Sequence, residues 1–301
     1  MTHRTLVVTG CDAAHHGLAG ELLESLHDLP SRSFDIGFVQ LGPAPLPYDI
    51  RAGVDLVASV DDTAFRQAGG GGYALAYLAV KPRLPAYFPG YDTYVWMDGD
   101  TWVQDGAGIE DYVRAAETAD IAIHPECDLN YVAELRPSNR TLFIYRRQFP
   151  DADLNVLARY PMINSGVFAA KATSPLWAKW LDVLEEVRRR SAGKTDAYYS
   201  DQIPLHWLIF KRRITIAVLP AVDNWQLYTM PPRIDLVRRR LVAAVPPYDD
   251  IRIMHLSGAT KQIAYRHKDW GRDVSFRYRE IKAFFAELEQ VGSTRGRRLE
   301  W

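Results

Sequence analysis

Residues 94–97 (YVWM) form an apolar run that no polar residue interrupts. A strand with one face in water alternates apolar and polar residues, whereas a strand of a parallel sheet is covered on both faces and is apolar throughout. Other apolar runs alternate along the chain with segments whose leucines have helical spacing. We therefore predict an α/β fold with a single Rossmann-like, doubly wound, mostly parallel sheet and helices on both of its faces.

The predicted elements extend from near the N-terminus to residue 291. Further strands are expected at residues 6–9, 34–41, 54–60, 121–124, 162–169, 214–219 and 251–256. Helices are expected at residues 18–29, 73–80, 108–116, 174–190, 200–211 and 273–291, with Ser174 and Ser200 as N-terminal caps. Residues 125–161 are polar, aromatic and punctuated by proline, and predict a long excursion over the sheet that contributes to a binding site. No repeat or linker interrupts the pattern, so residues 1–301 are expected to form one domain.

Charge and composition exclude several classes of protein. The 36 basic and 37 acidic residues leave a formal charge of −1, so the chain has no basic field for nucleic acid. Two cysteines, Cys11 and Cys127, give no disulfide framework, and no apolar segment is long enough for a signal peptide or a membrane span. These features predict a cytoplasmic protein. The C-terminal basic residues predict at most a weak peripheral membrane contact.

The apolar run 94–97 leads directly into Asp98-Gly99-Asp100. Ligands of parallel sheets bind beyond the carboxyl ends of the strands, and an i, i+2 spacing in extended chain directs both carboxylates to one side. Two anions this close repel each other unless a cation lies between them. Oxygen donors suit Mg²⁺ or Mn²⁺, which often complete their coordination with phosphate oxygens. An ordinary polar turn at the end of the strand is the alternative, since Asp and Gly are common turn residues.

This strand-end DGD resembles the DxD motif of glycosyltransferases with the GT-A fold. Further segments, in the same order along the chain, resemble glycosyltransferase family 8, which includes glycogenin and bacterial galactosyltransferases. They are TGCDAAHHG at 9–17, Lys81, NSGV at 164–167, SDQ at 200–202 and HLSGATK at 255–261. The resemblance covers residues 6–261 and implies a GT-A domain with a nucleotide-binding part at about 1–105 and a part for the sugar and the acceptor at about 106–301.

The resemblance also implies a role for each matched residue. A metal would be held by Asp98, Asp100 and His255, with Mn²⁺ favoured by the imidazole and Mg²⁺ possible. The donor nucleotide and its diphosphate would be bound by Thr9, Asp12, Gly258 and Lys261. The donor sugar would be bound by Lys81, Asn164, Ser165, Gly166 and Asp201, and the catalytic residues would be Asp201 and Gln202.

The function implied is transfer of a hexose from a nucleotide sugar, preferably a UDP-hexose, to an acceptor hydroxyl with retention of the anomeric configuration. The acceptor is open: a glycan, a lipid-linked sugar, a protein or a small molecule. A sugar nucleotidyltransferase is a second possibility, although residues 9–17 lack the glycine-rich basic signature that those enzymes usually carry. A catalytically silent nucleotide-sugar-binding protein is a third.

Overall fold

The computed structural model describes residues 3–60, 79–131, 139–149, 159–191, 201–211, 214–266 and 273–291. Most of the helix expected at residues 73–80, the Ser200 cap and the basic C-terminal residues lie outside these ranges. Within them, no helix combines the length and apolar character that crossing a bilayer requires.

The described chain has fourteen strands and eight α-helices. The strands are β1 Thr5–Cys11, β2 Phe34–Leu41, β3 Leu56–Val60, β4 Thr93–Met97, β5 Thr101–Val103, β6 Ile121–Pro125, β7 Ile163–Lys171, β8 Ile216–Val218, β9 Trp225–Gln226, β10 Arg233–Asp235, β11 Arg240–Val242, β12 Ile253–His255, β13 Ala264–Arg266 and β14 Asp273–Ser275. The helices are α1 His16–His27, α2 Tyr48–Ala52, α3 Leu84–Tyr87, α4 Ala107–Ala116, α5 Asn139–Gln148, α6 Leu176–Ser191, α7 Gln202–Phe210 and α8 Tyr278–Val291.

Seven strands form the central sheet in the order β3-β2-β1-β4-β7-β6-β8. All neighbours are parallel except β7, which runs antiparallel to both β4 and β6. The predicted α/β class with a mostly parallel sheet is therefore confirmed. The reversal of β7 was not predicted, because an apolar strand buried on both faces has the same residue pattern in either direction.

Side chains of the inner strands pack alternately on the two faces of the sheet. In β4, Tyr94 and Trp96 join the cluster that includes α6 and α7, while Val95 and Met97 join the cluster that includes α1 and α4. This is the period-two geometry of a strand covered on both sides. The expected helical layers on both faces of the sheet are therefore present.

Three small sheets accompany the central one and were not predicted. The first has the order β5-β12-β9, and the others are the antiparallel pairs β10-β11 and β13-β14. A third apolar cluster, which includes Trp102, Trp225 and Phe276, lies at these strands and at α8. Strands of two or three residues carry too little periodicity to be recognised in a sequence.

Two further expectations need correction. The excursion at residues 125–161 contains a helix of its own, α5, whose residues Ile144 and Tyr145 are buried in the main core. The last predicted helix, residues 273–291, begins only at Tyr278, because residues 273–275 pair with β13 as a strand. The short helices α2 and α3 were not predicted, and the remaining described elements differ from the predicted ones mainly by a few residues at their ends.

Candidate functional site

Two short strands bring the aspartates of the DGD turn next to a distant histidine. Asp98 follows the last residue of β4, and its carbonyl oxygen accepts hydrogen bonds from the backbone N–H and hydroxyl of Thr101, 2.9 and 2.8 Å long. The chain then continues as β5, which pairs with β12 so that Thr101 lies opposite His255. Leu256 N donates to Asp100 O over 2.8 Å. This pairing places residue 255 beside residue 100 although 155 positions separate them in the sequence.

Asp98, Asp100 and His255 form a compact set of potential metal ligands. Each contributes one ligand atom, and these atoms all lie within 4.8 Å of one another. His255 Nε2 is 3.4 Å from Asp100 Oδ1, and Lys261 Nζ is 2.8 Å from Asp100 Oδ2. Two carboxylates and one imidazole are a donor set that suits a divalent transition metal. The residues present therefore fit the ion that the DGD motif predicts.

The charges of this cluster perturb its carboxyl groups in opposite directions. Burial, reinforced by the charge of Asp100, raises the pKa of Asp98 above its ordinary value even though Lys81 lowers it. Burial acts on Asp100 too, but His255 and Lys261 outweigh it and hold the pKa of Asp100 well below its usual range. A divalent cation would stabilise both ionised forms.

Lys81 connects the turn to the other predicted sugar-binding residues. Its Nζ lies 2.6 Å from Asp201 Oδ2 and 3.1 Å from Asp98 Oδ1, and it donates to the carbonyl oxygen of Ser165 over 3.0 Å. Ser165 Oγ also donates to Asp201 Oδ2, over 3.2 Å. Burial lowers the pKa of Lys81, but the two aspartates outweigh it and leave the pKa above its ordinary value. The lysine is therefore held charged within the cluster.

Asp201 is the N-cap of α7, where its Oδ1 accepts a 3.0 Å hydrogen bond from Gln202 N. Ser200 was the predicted cap and lies outside the described residues. Gln202 begins the helix, and its Nε2 donates to Glu126 Oε1 over 3.2 Å. Asn164 Nδ2 donates to the same oxygen, also over 3.2 Å. The structure therefore joins two predicted residues through a glutamate that the sequence did not single out.

Gly166 leaves room for the His255 side chain where β7 passes it. A Cβ atom at this position would lie 2.2 Å from His255 Cε1 and 2.9 Å from Asn164 Oδ1. The backbone of Gly166 is also engaged, since its N–H donates to Asn164 Oδ1 over 3.0 Å and its carbonyl accepts from Asp98 N over 2.7 Å. Any side chain here would clash with the imidazole, so a glycine at position 166 allows His255 to lie directly against β7.

A cleft of about 220 Å³ opens at the carboxyl ends of β1 and β4. Its polar lining includes the predicted residues Asp12, Lys81, Asp98, Asp100, Asp201 and Lys261. The sequence interpretation missed other lining residues, among them Trp96 and His15, whose Nδ1 lies 2.8 Å from Asp12 Oδ1. Trp96 lies two residues before Asp98, and His15 lies three residues after Asp12 within the matched segment 9–17, but neither was predicted to line the site.

Two predicted nucleotide-binding residues do not line this cleft. Thr9 is buried within β1, next to the lining residue Gly10, and its Oγ1 has no hydrogen-bond partner among the described residues. Gly258 has a φ of +64° at the start of a 3-10 helix, Gly258–Gln262, which is the left-handed backbone region that glycine tolerates best. That backbone turn directs Lys261 towards Asp100. The turn therefore explains why the segment HLSGATK has a glycine at position 258.

A larger cavity, about 550 Å³, lies beside the β10-β11 hairpin and away from these residues. Its charged side chains neutralise one another: Arg238 forms ion pairs with Asp235 and Asp250, 2.9 and 2.6 Å long. It holds none of the predicted site residues. The smaller cleft is the better candidate because a cluster of potential metal ligands adjoins it.

The fold is shared with solved glycosyltransferase structures. The galactosyltransferase LgtC in complex with donor and acceptor sugar analogues is 13% identical, with a TM-score of 0.55 over 94% of this chain and 95% of that one. An active-site mutant of LgtC is 12% identical, with a TM-score of 0.56 over 93% and 95%. Mouse xyloside xylosyltransferase 1 in its apo form is 16% identical, with a TM-score of 0.51 over 84% and 97%.

No protein-family model and no curated protein sequence matches the chain. The structural likeness at this low identity is a likeness of fold. The chain has the mixed α/β GT-A fold of glycosyltransferases.

Proposed function

We propose that this chain is a metal-dependent, retaining glycosyltransferase that moves a hexose from a nucleotide sugar, preferably a UDP-hexose, to an acceptor hydroxyl. The observation that carries the proposal is the meeting of Asp98, Asp100 and His255 with Lys261 at the edge of the cleft. The DGD turn and residues 255–261 are far apart in sequence, so the fold itself must bring them together, and a chance neighbourhood along the chain does not explain the cluster. The GT-A fold supports the same activity.

Asp98, Asp100 and His255 would hold the ion, and Mn²⁺ is preferred over Mg²⁺ because one donor is an imidazole nitrogen. When bound, the ion would supply Lewis-acid stabilisation of the leaving diphosphate. Lys261 would add a second positive charge beside the ion, since its Nζ lies 2.8 Å from Asp100 Oδ2. A charge-assisted hydrogen bond from this lysine to a diphosphate oxygen stabilises the negative charge that develops as the sugar departs.

The Lys81 cluster would position the donor sugar. Lys81 and Ser165 hold Asp201 at the cleft, where its carboxylate can accept hydrogen bonds from sugar hydroxyls. Because these side chains are already held in place, they can position the anomeric carbon of the donor sugar without having to rearrange during the reaction. Asp12, which also lines the cleft, would contact the nucleotide base; the residue two positions on is Ala14, so no aromatic ring stacks there.

Gln202 is the group proposed to face the anomeric carbon. Its Nε2 is occupied by Glu126, so its Oε1 is the atom that can stabilise positive charge on the sugar. An amide oxygen is a poor nucleophile, and an acceptor attack on the same face as the leaving group therefore agrees better with this geometry than a covalent intermediate does.

The first test is a screen of nucleotide sugars with Mn²⁺, with slow donor hydrolysis detected by mass spectrometry. We expect turnover of a UDP-hexose, complete loss in EDTA and recovery when Mn²⁺ is restored. Asp100→Asn should reduce turnover at least about 100-fold, whereas Asp105→Asn, which alters an aspartate paired with Arg240 outside the site, should not. Full turnover in EDTA would contradict the proposed metal site.

Two other outcomes would indicate a different function. Release of diphosphate with a nucleoside triphosphate as substrate would indicate a nucleotidyltransferase. Tight donor binding without turnover would indicate a catalytically silent binding protein.

The second test is stereochemical. With an α-linked donor and an acceptor found by the screen, the product should carry an α-linkage, which the one-bond carbon–proton coupling of the anomeric carbon reports by NMR. A β-linked product would show inversion, and would remove the role proposed for Gln202 while leaving the metal site intact.

A further inference from the structure

Five side chains form a continuous hydrogen-bonded path from the metal-ligand triad to the proposed catalytic amide. The path is His255–Asn224–Asn164–Glu126–Gln202. His255 Nδ1 lies 3.0 Å from Asn224 Oδ1, and Asn224 Nδ2 donates to Asn164 Oδ1 over 3.0 Å. Asn164 Nδ2 and Gln202 Nε2 then both donate to Glu126. Asn224 is fully buried and lies just before β9, and no sequence motif marks it.

One backbone group determines the direction of the hydrogen bonds between His255, Asn224 and Asn164. The N–H of Gly166 can only donate, so the Asn164 atom that faces it is the carbonyl oxygen Oδ1. The Asn224 atom that faces this oxygen must then be the donor Nδ2, which leaves Asn224 Oδ1 as the atom facing His255. An amide oxygen can only accept. The proton of a neutral His255 therefore lies on Nδ1.

The ligand atom of His255 follows from that assignment. With Nδ1 protonated, the lone pair lies on Nε2, the nitrogen that points to Asp100 Oδ1 at 3.4 Å. Free histidine prefers the opposite tautomer, with the proton on Nε2, so the protein must stabilise this one. A hydrogen bond to the second ring nitrogen is the usual way in which proteins orient a metal-binding imidazole.

We propose that Asn224 is a positioning residue that holds His255 in the Nδ1–H tautomer, with Nε2 prepared for a metal, and transmits this orientation to Asn164 beside the donor sugar. The inference rests on the proposed metal site. Asp100 is the competing partner, because a proton on Nε2 could bond to its carboxylate. That contact is longer than the one to Asn224, 3.4 against 3.0 Å, and the other oxygen of Asp100 already pairs with Lys261.

The tautomer is measurable in the metal-free wild-type protein. Long-range ¹H–¹⁵N correlation spectra of ¹⁵N-histidine-labelled protein, at a pH well above the ordinary histidine pKa, distinguish a protonated Nδ1 from a protonated Nε2. His255 is assigned from the one set of signals missing in His255→Gln. We expect Nδ1 to carry the proton. A protonated Nε2 with an unprotonated Nδ1 would overturn the proposal without touching the proposed function.

Variants of Asn224 test the consequence for metal binding, with Mn²⁺ alone as the probe and free Mn²⁺ counted by EPR. Asn224→Ala should weaken Mn²⁺ binding roughly 10–100-fold. Asn224→Asp should recover most of the affinity, because a carboxylate still accepts from Nδ1–H. Its second oxygen, however, faces Asn164 Oδ1, so kcat should stay low. A variant that merely disturbed the packing would lose Mn²⁺ affinity and kcat together, and would not recover the affinity while kcat stays low.

Asn130→Ala is the matched control. Asn130 is a partly buried asparagine that, like Asn224, joins two segments, since its Oδ1 accepts from Val245 N over 3.1 Å, but it lies outside the path. It should leave Mn²⁺ affinity unchanged. If Asn224→Ala binds Mn²⁺ as tightly as wild type, the proposal is wrong and the metal site stands. If wild type itself binds no Mn²⁺, the metal site and this inference are both wrong. If Asn224→Ala does not fold, the wild-type tautomer decides.

Discussion

Glu126 is a residue of the candidate site that the sequence alone did not reveal. It follows directly after β6, at the edge of the sheet where β4 delivers the DGD turn, and it accepts from both Asn164 and Gln202. Its position after an apolar strand was a usable signal. The residues that were predicted, such as Asp98 and Asp201, belong to short motifs whose spacing is itself informative. Glu126 and Asn224 act through partners far away in sequence, and only the fold reveals these.

A pH dependence follows from the burial of Glu126. Burial raises its pKa above the ordinary value, although hydrogen bonds from Asn164, Tyr228 and Gln202 lower it. A raised pKa means that the carboxyl becomes protonated at pH values where an ordinary glutamate is still ionised. The carboxylate holds Gln202 more strongly than the neutral acid does. We therefore expect kcat to fall on acidification at a higher pH than an ordinary glutamate would give.

Glu126→Gln removes that titration. Its kcat should be about tenfold lower, equivalent to about 1.4 kcal/mol of transition-state stabilisation, and the acidic limb of the kcat–pH profile should disappear or move to lower pH. Glu117→Gln, at an exposed glutamate 3.8 Å from Lys171, should keep the wild-type profile. If the limb is the same in Glu126→Gln as in wild type, another group titrates there.

At the scale of elements, the long apolar strands and amphipathic helices were predictable and the short pairings were not. β4 is apolar throughout because it lies between helices on both faces. This pattern can be recognised from consecutive residues of the sequence. The pairing of β5 with β12 is not local: three residues after the DGD turn meet a strand 150 positions later. This pairing nevertheless places His255 at the site. Motif resemblance identified the histidine where periodicity had no basis for doing so.

The segment after β12, residues 257–266, is the element expected to respond to the donor. Thr260 is its only buried residue, Ile263 is 41% exposed, and the Lys261–Asp100 ion pair is its contact with the site. Little apolar burial stabilises it, so polar contacts with the donor diphosphate should have a large effect. Hydrogen bonds to charged groups contribute about 1.5–3 kcal/mol each, enough to shift a loop equilibrium towards closure.

Hydrogen exchange measured by mass spectrometry tests this response. Amide exchange in residues 257–266 should slow roughly 10-fold or more when Mn²⁺ and UDP are added together, corresponding to one such hydrogen bond. It should change little with either alone, because under the proposed function Asp98 and Asp100 would hold the diphosphate only through a bound cation. Helix α8 is the internal control and should be unaffected. Equal protection with and without ligand would show that the segment is a fixed wall of the cleft.

At the scale of the whole molecule, the sheet interleaves the two parts into which the chain was expected to divide. β4 belongs to the part expected to bind the nucleotide, yet it lies between β1 and β7, and β7 belongs to the part expected to bind the sugar and the acceptor. The apolar cluster on the α6 face contains residues from Leu6 to Ile214. The expected division near residue 105 therefore runs through a shared core. Whatever each part binds, the two parts should therefore fold together.

We accordingly predict a single cooperative unfolding transition. If the N-terminal part were isolated, Tyr94 and Trp96, now 1% and 4% exposed, would lose the partner strand β7 and the helices that cover them. Exposing large aromatic side chains costs about 1.5–3 kcal/mol each, a large share of the 5–15 kcal/mol that stabilises a typical protein. Urea denaturation followed by tryptophan fluorescence and by far-UV circular dichroism should give coincident curves, and a fragment of residues 1–105 should show neither transition. Two separated transitions, or a folded fragment, would show that the boundary near residue 105 divides two independent domains.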